Sequence, residues 1–293
     1  MIIVDTKDSV LISHRNNVGE VKKILKKVKD SEGEKSNTVQ KPLVTILIPT
    51  DNDHKYIEDT LVSAFKQTYK NIEYIVLDNG STDGTRDVIN RYRYKIEHLY
   101  NLPSTGLYTR INKGILEANG KIVTVLRPDN MYFDTDSIDS VVGTMEQEKT
   151  DVCWGDMIYL NDTKSNKISM YWQSSQYKSN LFQKGWSPPF PTFFARKSIY
   201  KKYGAFNQKL HIAADYELML RLLEKHHVKS SYISKILVKM VGRGITTKNM
   251  YDKAVGNLET HKAWELNGLQ TTQLFLIQKN ITRFSQIWSK NRN

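Results

Sequence analysis

The chain has 293 residues, of which 39% are hydrophobic and 25% are charged. These proportions are those of a soluble globular protein, and they exclude a disordered or collagen-like chain. The single cysteine, Cys153, excludes an internal disulfide and a zinc site built from several cysteines. No apolar run approaches the roughly 20 residues that a membrane-spanning helix needs, and the N-terminal residues lack the apolar segment of a signal peptide. The composition therefore predicts a cytoplasmic globular protein.

The charge of the chain is positive and uneven. Lys and Arg number 43 against 31 Asp and Glu, which gives a formal net charge of +12. The stretch from Lys225 to the last residue has 12 basic and three acidic residues, so it carries +9. A basic surface of this kind attracts phosphates, nucleic acid or an anionic membrane. A basic surface that is merely solvated is an equally good interpretation.

The pattern of the chain divides it into four segments. Residues 1–41 have little pattern beyond a short basic helix predicted over 19–29, and they end in a polar linker. Residues 42–130 alternate strands with helices, whereas residues 131–247 are less regular. Residues 248–293 are predicted to form a basic, helical C-terminal extension.

The first half of the folded region predicts a layered α/β structure. Continuous apolar runs predict buried strands at 44–48, 72–77, 96–100 and 121–126, and helical periodicity predicts helices at 56–67, 86–93 and 108–118. Such alternation indicates a mostly parallel sheet with helices on both faces. Asn119-Gly120 predicts a left-handed cap at the end of the third helix.

Polar clusters follow three of these strands, at Thr50–Asp53, Asp78–Asp83 and Arg127–Asn130. Ligands of parallel sheets bind beyond the carboxyl ends of the strands, so these clusters are expected to meet in one crevice. In the second half, 152–160 and 164–172 are predicted to pair as a hairpin, and 214–225 predicts an amphipathic helix.

Several common catalytic motifs are missing from the sequence. It contains no phosphate loop of the GxxxxGK[ST] type, no GxGxxG turn after a strand, no HExxH helix and no GxSxG elbow. These absences weigh against ATPase, dinucleotide, metalloprotease and serine-hydrolase chemistry. Carboxylates at strand ends remain, and that arrangement is typical of a site that holds a metal-bound diphosphate.

Four stretches resemble glycosyltransferase family 2, the inverting sugar-nucleotide transferases of the GT-A fold. They are VTILIPTDN, SAFKQTYKNIEYIVLDNGSTDGT, GLYTRINKGILEANGKIV and IAADYELMLRLLEK, and their order and spacing match the family as well. The resemblance covers residues 43 to about 247. It implies a Rossmann-like GT-A domain with a nucleotide-binding half, 42–130, and an acceptor half, 131–247. The last two stretches are most similar to the subgroup that builds bacterial surface polysaccharides.

The resemblance assigns the first two strand ends to the nucleotide. It implies that the Asp78 carboxylate accepts a hydrogen bond from the uracil N3–H of a UDP-sugar, with Asn79 beside it. Thr50 and Asp53 are expected to line the other side, where Pro49 fixes the turn. The alternative for Asp78 is that it caps the next helix, although Ser81 and Asp83 fit that role better.

The same resemblance assigns the third stretch to the diphosphate. Gly106, Arg110, Asn112 and Lys113 correspond to the family's diphosphate contacts, and Asn112 is the strongest candidate among them. Arg110 and Lys113 would neutralise phosphate charge. The alternative is that these are ordinary exposed residues of a helix.

The family's metal motif, Asp-x-Asp, corresponds here to Arg127-Pro128-Asp129. Asp129 matches the carboxylate that binds Mn²⁺ or Mg²⁺, and one or two carboxylates plus phosphate oxygens suffice for such ions. Arg127 stands where an acidic residue is common. A guanidinium there repels a cation and can bind phosphate itself, so we hypothesise that Arg127 weakens the dependence on metal.

Asp215 matches the family's acceptor-side aspartate. Inverting transfer needs a base that takes the proton of the acceptor hydroxyl, and Asp215 is the predicted catalytic residue. An aspartate in the first turn of a helix also has a purely structural explanation. Glu217 is a second carboxylate nearby, whereas Arg221 is expected to be structural.

Aromatic residues are the candidates for binding the acceptor, a glycan or a lipid-linked glycan. Trp172, Trp186 and Phe190 can stack on a sugar, and packing in the core is the alternative for each. The loop Gly242–Thr246 resembles a glycine-rich loop of the family.

The C-terminal stretch 274–293 is expected to be a basic amphipathic helix that contacts a membrane surface. Its alternative is packing on the domain or on a second copy of the chain, as in a homodimer.

Two other functions compete with an active transferase. A weakened relative would bind a nucleotide sugar without efficient transfer, as Arg127 and the unusual Pro191-Thr192 pair allow. A nucleic-acid-binding protein would use the basic C-terminal part. The second function leaves the strand-end carboxylates unexplained, because they repel phosphate, so no nucleic-acid partner is expected.

Overall fold

The computed structural model describes residues 2–6, 9–13, 41–161, 167–241, 250–271, 275 and 287–288. The chain forms two compact units, Met1–Lys41 and Pro42–Asn293. In the first unit, β1 (Ile2–Thr6) and β2 (Ser9–Ser13) pair as an antiparallel hairpin, which the sequence pattern did not predict. The helix predicted over 19–29 lies outside the described residues.

The second unit is built on a ten-stranded sheet. Its strands are β3 (Val44–Thr50), β4 (Ile72–Asp78), β5 (His98–Asn101), β6 (Ile122–Val125), β7 (Asn130–Tyr132), β8 (Val152–Leu160), β9 (Ile168–Trp172), β10 (Phe194–Arg196), β11 (Ser230–Val241) and β12 (Ile287–Trp288). The main path runs β12-β9-β8-β10-β6-β3-β4-β5, and β11 joins β8 to β7. All but β7, β9 and β10 point the same way, so the predicted mostly parallel sheet is confirmed, as is the hairpin of β8 with β9.

Helices cover both faces of this sheet. They are α1 (Ile57–Phe65), α2 (Thr85–Arg91), α3 (Leu107–Glu117), α4 (Ser137–Glu148), α5 (Lys197–Tyr203), α6 (Ala214–Leu220, continued by a π-turn over Arg221–Lys225) and α7 (Met250–Leu266). The apolar faces of α1, α2 and α4 pack on one side of the sheet, and those of α3, α6 and α7 pack on the other. The strands between them are buried on both faces, which explains their continuous apolar runs.

Pro49 lies within β3, one residue before its end, and not in a turn after it as predicted. On one side β3 stays paired with β4 as far as Thr50, whereas its pairing with β6 ends at Leu47. A proline lacks a backbone N–H and is tolerated where a partner strand has ended. β3 therefore carries Thr50 to the same edge of the sheet as Asp78.

The predicted left-handed cap at Asn119-Gly120 is wrong, because neither residue has a positive φ. Gly120 is required for close approach instead. A Cβ on Gly120 would lie 2.5 Å from Thr45 Oγ1 and 2.6 Å from Thr45 N. The Gly120 N–H donates to that same hydroxyl at 2.9 Å, which locks the start of β6 onto β3.

The C-terminal part differs from the predicted single helix. Ile287–Trp288 forms a strand antiparallel to β9, so the predicted helix over 274–293 is wrong at these two residues. Phe275 is helical and its ring packs edge-on against Trp264 of α7. The rest of 274–293 and the loop Gly242–Thr246 lie outside the described residues. Within the described part of the chain, no helix is long and apolar enough to cross a bilayer.

Candidate active site

Asp78 organises the turn at the end of β4. It is 1% exposed and lies beside Thr50, the last residue of β3, in the parallel register. One carboxylate oxygen accepts hydrogen bonds from the hydroxyls of Thr50, at 2.9 Å, and of Ser81. The other oxygen accepts the backbone N–H groups of Gly80, at 3.2 Å, and Ser81, at 3.0 Å. Four donors therefore fix this carboxylate.

This saturation bears on the predicted contact of Asp78 with uracil. A carboxylate offers about four lone-pair positions, and all of them have a partner in the structure. A base N–H would have to share an oxygen or replace a hydroxyl, and the Ser81 hydroxyl is free to rotate about its C–O bond. Asp78 thus caps the turn at Gly80 and Ser81, whereas the next helix begins at Thr85 without a side-chain cap, so the alternative of a helix cap is wrong. Base reading by Asp78 stays a prediction.

The loop after β3 is tied to the loop after β5 by Asn79. Its amide nitrogen donates to Asp51 Oδ2 at 2.9 Å, and its amide oxygen accepts the Thr105 N–H at 2.9 Å. The left-handed Asn52, at φ 54°, links the loop after β3 to the loop after β4, because its side-chain oxygen accepts the Thr82 N–H at 2.9 Å. Asn79 thus serves as a bridge between loops, and the predicted nucleotide contact would have to involve its backbone or what remains of its amide edge.

Arg110 brings a buried positive charge to this group of carboxylates. It lies on α3, one turn after Gly106, where the helix begins, and its guanidinium donates to the Thr105 carbonyl. Burial lowers the pKa of Arg110, and the negative charges of Asp51, Asp78 and Asp53 oppose that shift. Its Nε is buried and has no hydrogen-bond partner among the described residues.

Asp53 connects the first strand ends to the predicted metal motif. Burial raises the pKa of Asp53 to about 6; the hydrogen bond from the Asp51 N–H opposes this, and the charge of Asp129 adds to it. Arg127 also acts on Asp53 and lies 4.0 Å from Asp129, Nε to Oδ1. Asp53, Asp129 and Arg127 therefore share one electrostatic environment.

This environment fits a divalent cation in part. Asp129 Oδ1 is buried and has no hydrogen-bond partner within the described residues. An oxygen of this kind suits a hard cation, and Asp53 supplies a second carboxylate nearby. In the part of the chain that the structure describes, no three acidic, His or Cys side chains group as a complete metal site. Mn²⁺ or Mg²⁺ would therefore need phosphate oxygens of a ligand as well.

Tyr108 links the metal motif to Asp215. Its hydroxyl donates to the Ile212 carbonyl at 2.9 Å and is hydrogen-bonded to the backbone of Asp215. Burial raises the pKa of Tyr108 well above its usual value; the charge of Asp215 adds to this and that of Arg127 opposes it. The charges of Asp215 and Arg127 therefore both act on the Tyr108 hydroxyl. Sequence reasoning missed this residue, although it lies inside the third family-like stretch.

The two acidic residues at the start of α6 have different surroundings. Glu217 is buried, and Arg221 donates to both of its oxygens, at 2.9 and 3.1 Å. Arg221 also donates to the carbonyls of residues 203–205, so its predicted structural role is confirmed. Asp215 is partly exposed, and its Oδ1 accepts the Tyr216 N–H at 2.7 Å. Of the two carboxylates, Asp215 is the more exposed to solvent.

Two of the predicted diphosphate contacts have other partners. The Asn112 amide donates to the Phe206 carbonyl at 2.8 Å and accepts the Phe206 N–H at 2.9 Å. Asn112 therefore holds the backbone of a distant loop, and its contact with phosphate stays a prediction. Lys113 pairs with Glu117, one turn along α3, at 2.6 Å and lies over the ring of Tyr100. Only Arg110 of this set lies among the carboxylates.

The predicted acceptor-binding aromatics are mostly core residues. Trp172 and Trp186 are 6% and 4% exposed, and each belongs to a hydrophobic cluster. Trp186 packs edge-on against Phe182. Phe190 is only partly buried and packs edge-on against Phe206. Core packing explains the two tryptophans, so Phe190 is the ring of the three with surface left for a sugar.

Comparison with known proteins identifies the chain as a glycosyltransferase. It belongs to glycosyl transferase family 2, whose model matches residues 45–204, more than half of the chain. An uncharacterized glycosyltransferase of Rickettsia typhi is 28% identical over 261 residues, which is 85% of this chain and 79% of the relative. A PGL/p-HBAD biosynthesis glycosyltransferase of Mycobacterium bovis is 22% identical over 72% of this chain and 82% of its own.

Solved structures share the fold. The S. aureus TarS 1–349 structure superposes with a TM-score of 0.61 at 19% identity, covering 82% of this chain and 71% of TarS, and TarS has also been solved with UDP and with UDP-GlcNAc. The Pyrobaculum calidifontis mannosyltransferase PcManGT, in complex with GDP-Man and Mn²⁺, has a TM-score of 0.58 at 16% identity, with 84% and 70% coverage. The predicted family and fold are confirmed.

Proposed function

We propose that this glycosyltransferase moves a sugar, with inversion, from a UDP-sugar to a hydroxyl of a glycan or a lipid-linked glycan. The observation that carries the proposal is the position of Tyr108. The Tyr108 hydroxyl donates a hydrogen bond to the Ile212 carbonyl, three residues before Asp215. The charges of both Asp215 and Arg127 act on the pKa of Tyr108. Tyr108 therefore lies near both the candidate base and the candidate diphosphate motif, which supports the proposal that the two act on one donor.

In the proposed reaction, Asp215 takes the proton of the acceptor hydroxyl while that oxygen attacks the anomeric carbon. The bond from the anomeric carbon to the diphosphate breaks, and UDP leaves with the electron pair. Arg127 and Arg110 lie where they can offset the charge that develops on the leaving diphosphate. Asp129, with Asp53 beside it, would hold Mn²⁺ or Mg²⁺, which supplies further positive charge when it is bound.

Support for UDP as the nucleotide comes from the TarS complexes, whereas the mannosyltransferase neighbour binds GDP-Man. The identity of the nucleobase can be tested directly. Isothermal titration with UDP, GDP and a short DNA duplex is expected to give a measurable dissociation constant for UDP alone. A preference for GDP would refute the uridine assignment, and binding of the duplex alone would favour the nucleic-acid alternative.

A second candidate is a relative that binds a nucleotide sugar but transfers it poorly. The position of Arg127, 4.0 Å from Asp129, favours it, because a guanidinium beside the metal carboxylate disfavours a cation. A panel of UDP-sugars, with UDP release as the readout, separates the two. UDP binding without release from any donor of the panel would support this weakened relative.

A further inference from the structure

The segment that leads into Asp215 is held by a residue from far along the chain. α7 (Met250–Leu266) packs against α6 within the second compact unit, and it lies beyond the residues that the family model matches. One face of α7 carries Glu259, whose polar side chain is buried. A buried carboxylate needs donors, and its donors here are all backbone groups of one short segment.

Glu259 accepts three hydrogen bonds from consecutive residues. Its Oε1 accepts the His211 N–H at 2.8 Å, and its Oε2 accepts the N–H groups of Ile212 at 2.7 Å and Ala213 at 2.9 Å. These residues end two positions before Asp215. Because N–H groups buried without a partner are costly, one carboxylate fixes the whole approach to α6.

The opposite side of the same segment is held by Tyr108, through the Ile212 carbonyl and the Asp215 backbone. Two further side chains tie α6 to the C-terminal part. Trp264 Nε1 donates to the Tyr216 hydroxyl at 3.1 Å, and Asn267 Nδ2 donates to Glu217 at 3.0 Å. Tyr216 and Glu217 both lie within α6. Of these residues of the C-terminal part, Glu259 is the one that binds the backbone before Asp215.

We infer that Glu259 is a positioning residue that orients Asp215 for proton transfer. This inference rests on the proposed role of Asp215. Glu259 lies on the far side of the segment from Tyr108 and contacts backbone alone among its described partners. Its loss is therefore expected to affect turnover more than nucleotide binding.

The test compares Glu259→Ala with Glu259→Gln. The alanine variant loses all three acceptor contacts, whereas the glutamine variant keeps one oxygen that can accept from Ile212 and Ala213. Glu265→Ala is the matched control, because Glu265 lies on the same helix with its side chain 69% exposed. Three quantities are measured in each: hydrogen exchange of the amides of 211–215, the dissociation constant of UDP, and UDP release from the best donor of the UDP-sugar panel.

In Glu259→Ala we expect exchange of these amides to accelerate at least tenfold and turnover to fall at least tenfold, with UDP affinity unchanged within about twofold. Glu259→Gln should recover part of both losses, and Glu265→Ala should match the wild type. Unchanged exchange would overturn the inference, as would a loss of UDP binding in step with turnover. A wild-type enzyme inactive on every donor would refute the proposed function instead, while the exchange data would still decide whether Glu259 orders the segment.

Discussion

Replacement of Asp78 separates its two possible roles. Asp78→Ala removes the acceptor of four hydrogen bonds, two of them from the backbone N–H groups of Ser81, which is buried, and Gly80, which is half-buried. Asp78→Asn keeps one oxygen that can accept from those N–H groups. Its new amide N–H₂ can donate to the hydroxyl oxygens of Thr50 and Ser81 once these hydroxyls rotate. The two variants therefore differ in how far they disrupt the turn, while both remove the charge.

The magnitudes follow from the number of bonds lost. Each buried N–H left without a partner costs about 1–3 kcal/mol, so Asp78→Ala is expected to lower the free energy of unfolding by about 3–5 kcal/mol. Asp78→Asn should cost about 1 kcal/mol. If the carboxylate also binds the uracil N3–H, loss of a charge-assisted bond worth about 1.5–3 kcal/mol weakens UDP binding by about 10–100-fold in Asp78→Asn.

Urea unfolding gives the stabilities and isothermal titration gives the UDP affinities. Asp59→Asn, an exposed carboxylate in the first turn of α1, is the control. It should leave UDP affinity unchanged and lower the free energy of unfolding by less than about 1 kcal/mol, the contribution of a negative charge at a helix N-terminus. An Asp78→Asn variant that binds UDP as tightly as the wild type would confine Asp78 to organising the turn. An Asp78→Ala variant as stable as the wild type would refute the hydrogen-bond reasoning itself.

Three other predictions concern packing, pH and metal. Gly120→Ala should destabilise the fold by about 3 kcal/mol, because the new Cβ would lie 2.6 Å from the Thr45 backbone nitrogen. Gly143→Ala in α4, which has open space around it, should stabilise the fold by up to about 1 kcal/mol, and equal effects of the two substitutions in urea unfolding would refute this reasoning. Burial raises the folded-state pKa of Asp156, so the stability of the wild type relative to Asp156→Asn should rise as the pH falls from 7 towards 4; a pH-independent difference would contradict it. Arg127→Asp should make UDP binding depend more strongly on Mn²⁺, as titrations with Mn²⁺ and with EDTA would show, and a strict Mn²⁺ requirement in the wild type would refute the role given to Arg127.

The sequence predicted the fold because its signals are local. Continuous apolar runs mark β3, β4 and β6, and the helices between them have clear periodicity. The ends of these strands carry Thr50 and Asp78, which the parallel register then places side by side. The topology of the sheet determines the edge at which these strand ends lie. The approximate location of the candidate site could therefore be predicted from the sequence.

The tasks of individual polar side chains could not be derived in this way. Asn112 and Phe206 are 94 positions apart, and no local pattern predicts that the amide of one binds the backbone of the other. Glu259 binds a segment more than 40 positions before it, and it lies in a helix without a strong amphipathic pattern. Trp172 and Trp186 show the converse error, since a tryptophan in a loop or a strand end has the same sequence signature whether it stacks on a sugar or packs in the core.

The central claim is that Asp215 acts as the base of an inverting transfer, and the rate of UDP release in Asp215→Asn tests it most directly. Asparagine is close in size to aspartate but cannot accept the proton. The account predicts turnover reduced by at least two orders of magnitude, as is typical for a lost general base, with UDP affinity close to that of the wild type. Turnover retained within a few fold of the wild type would contradict the account.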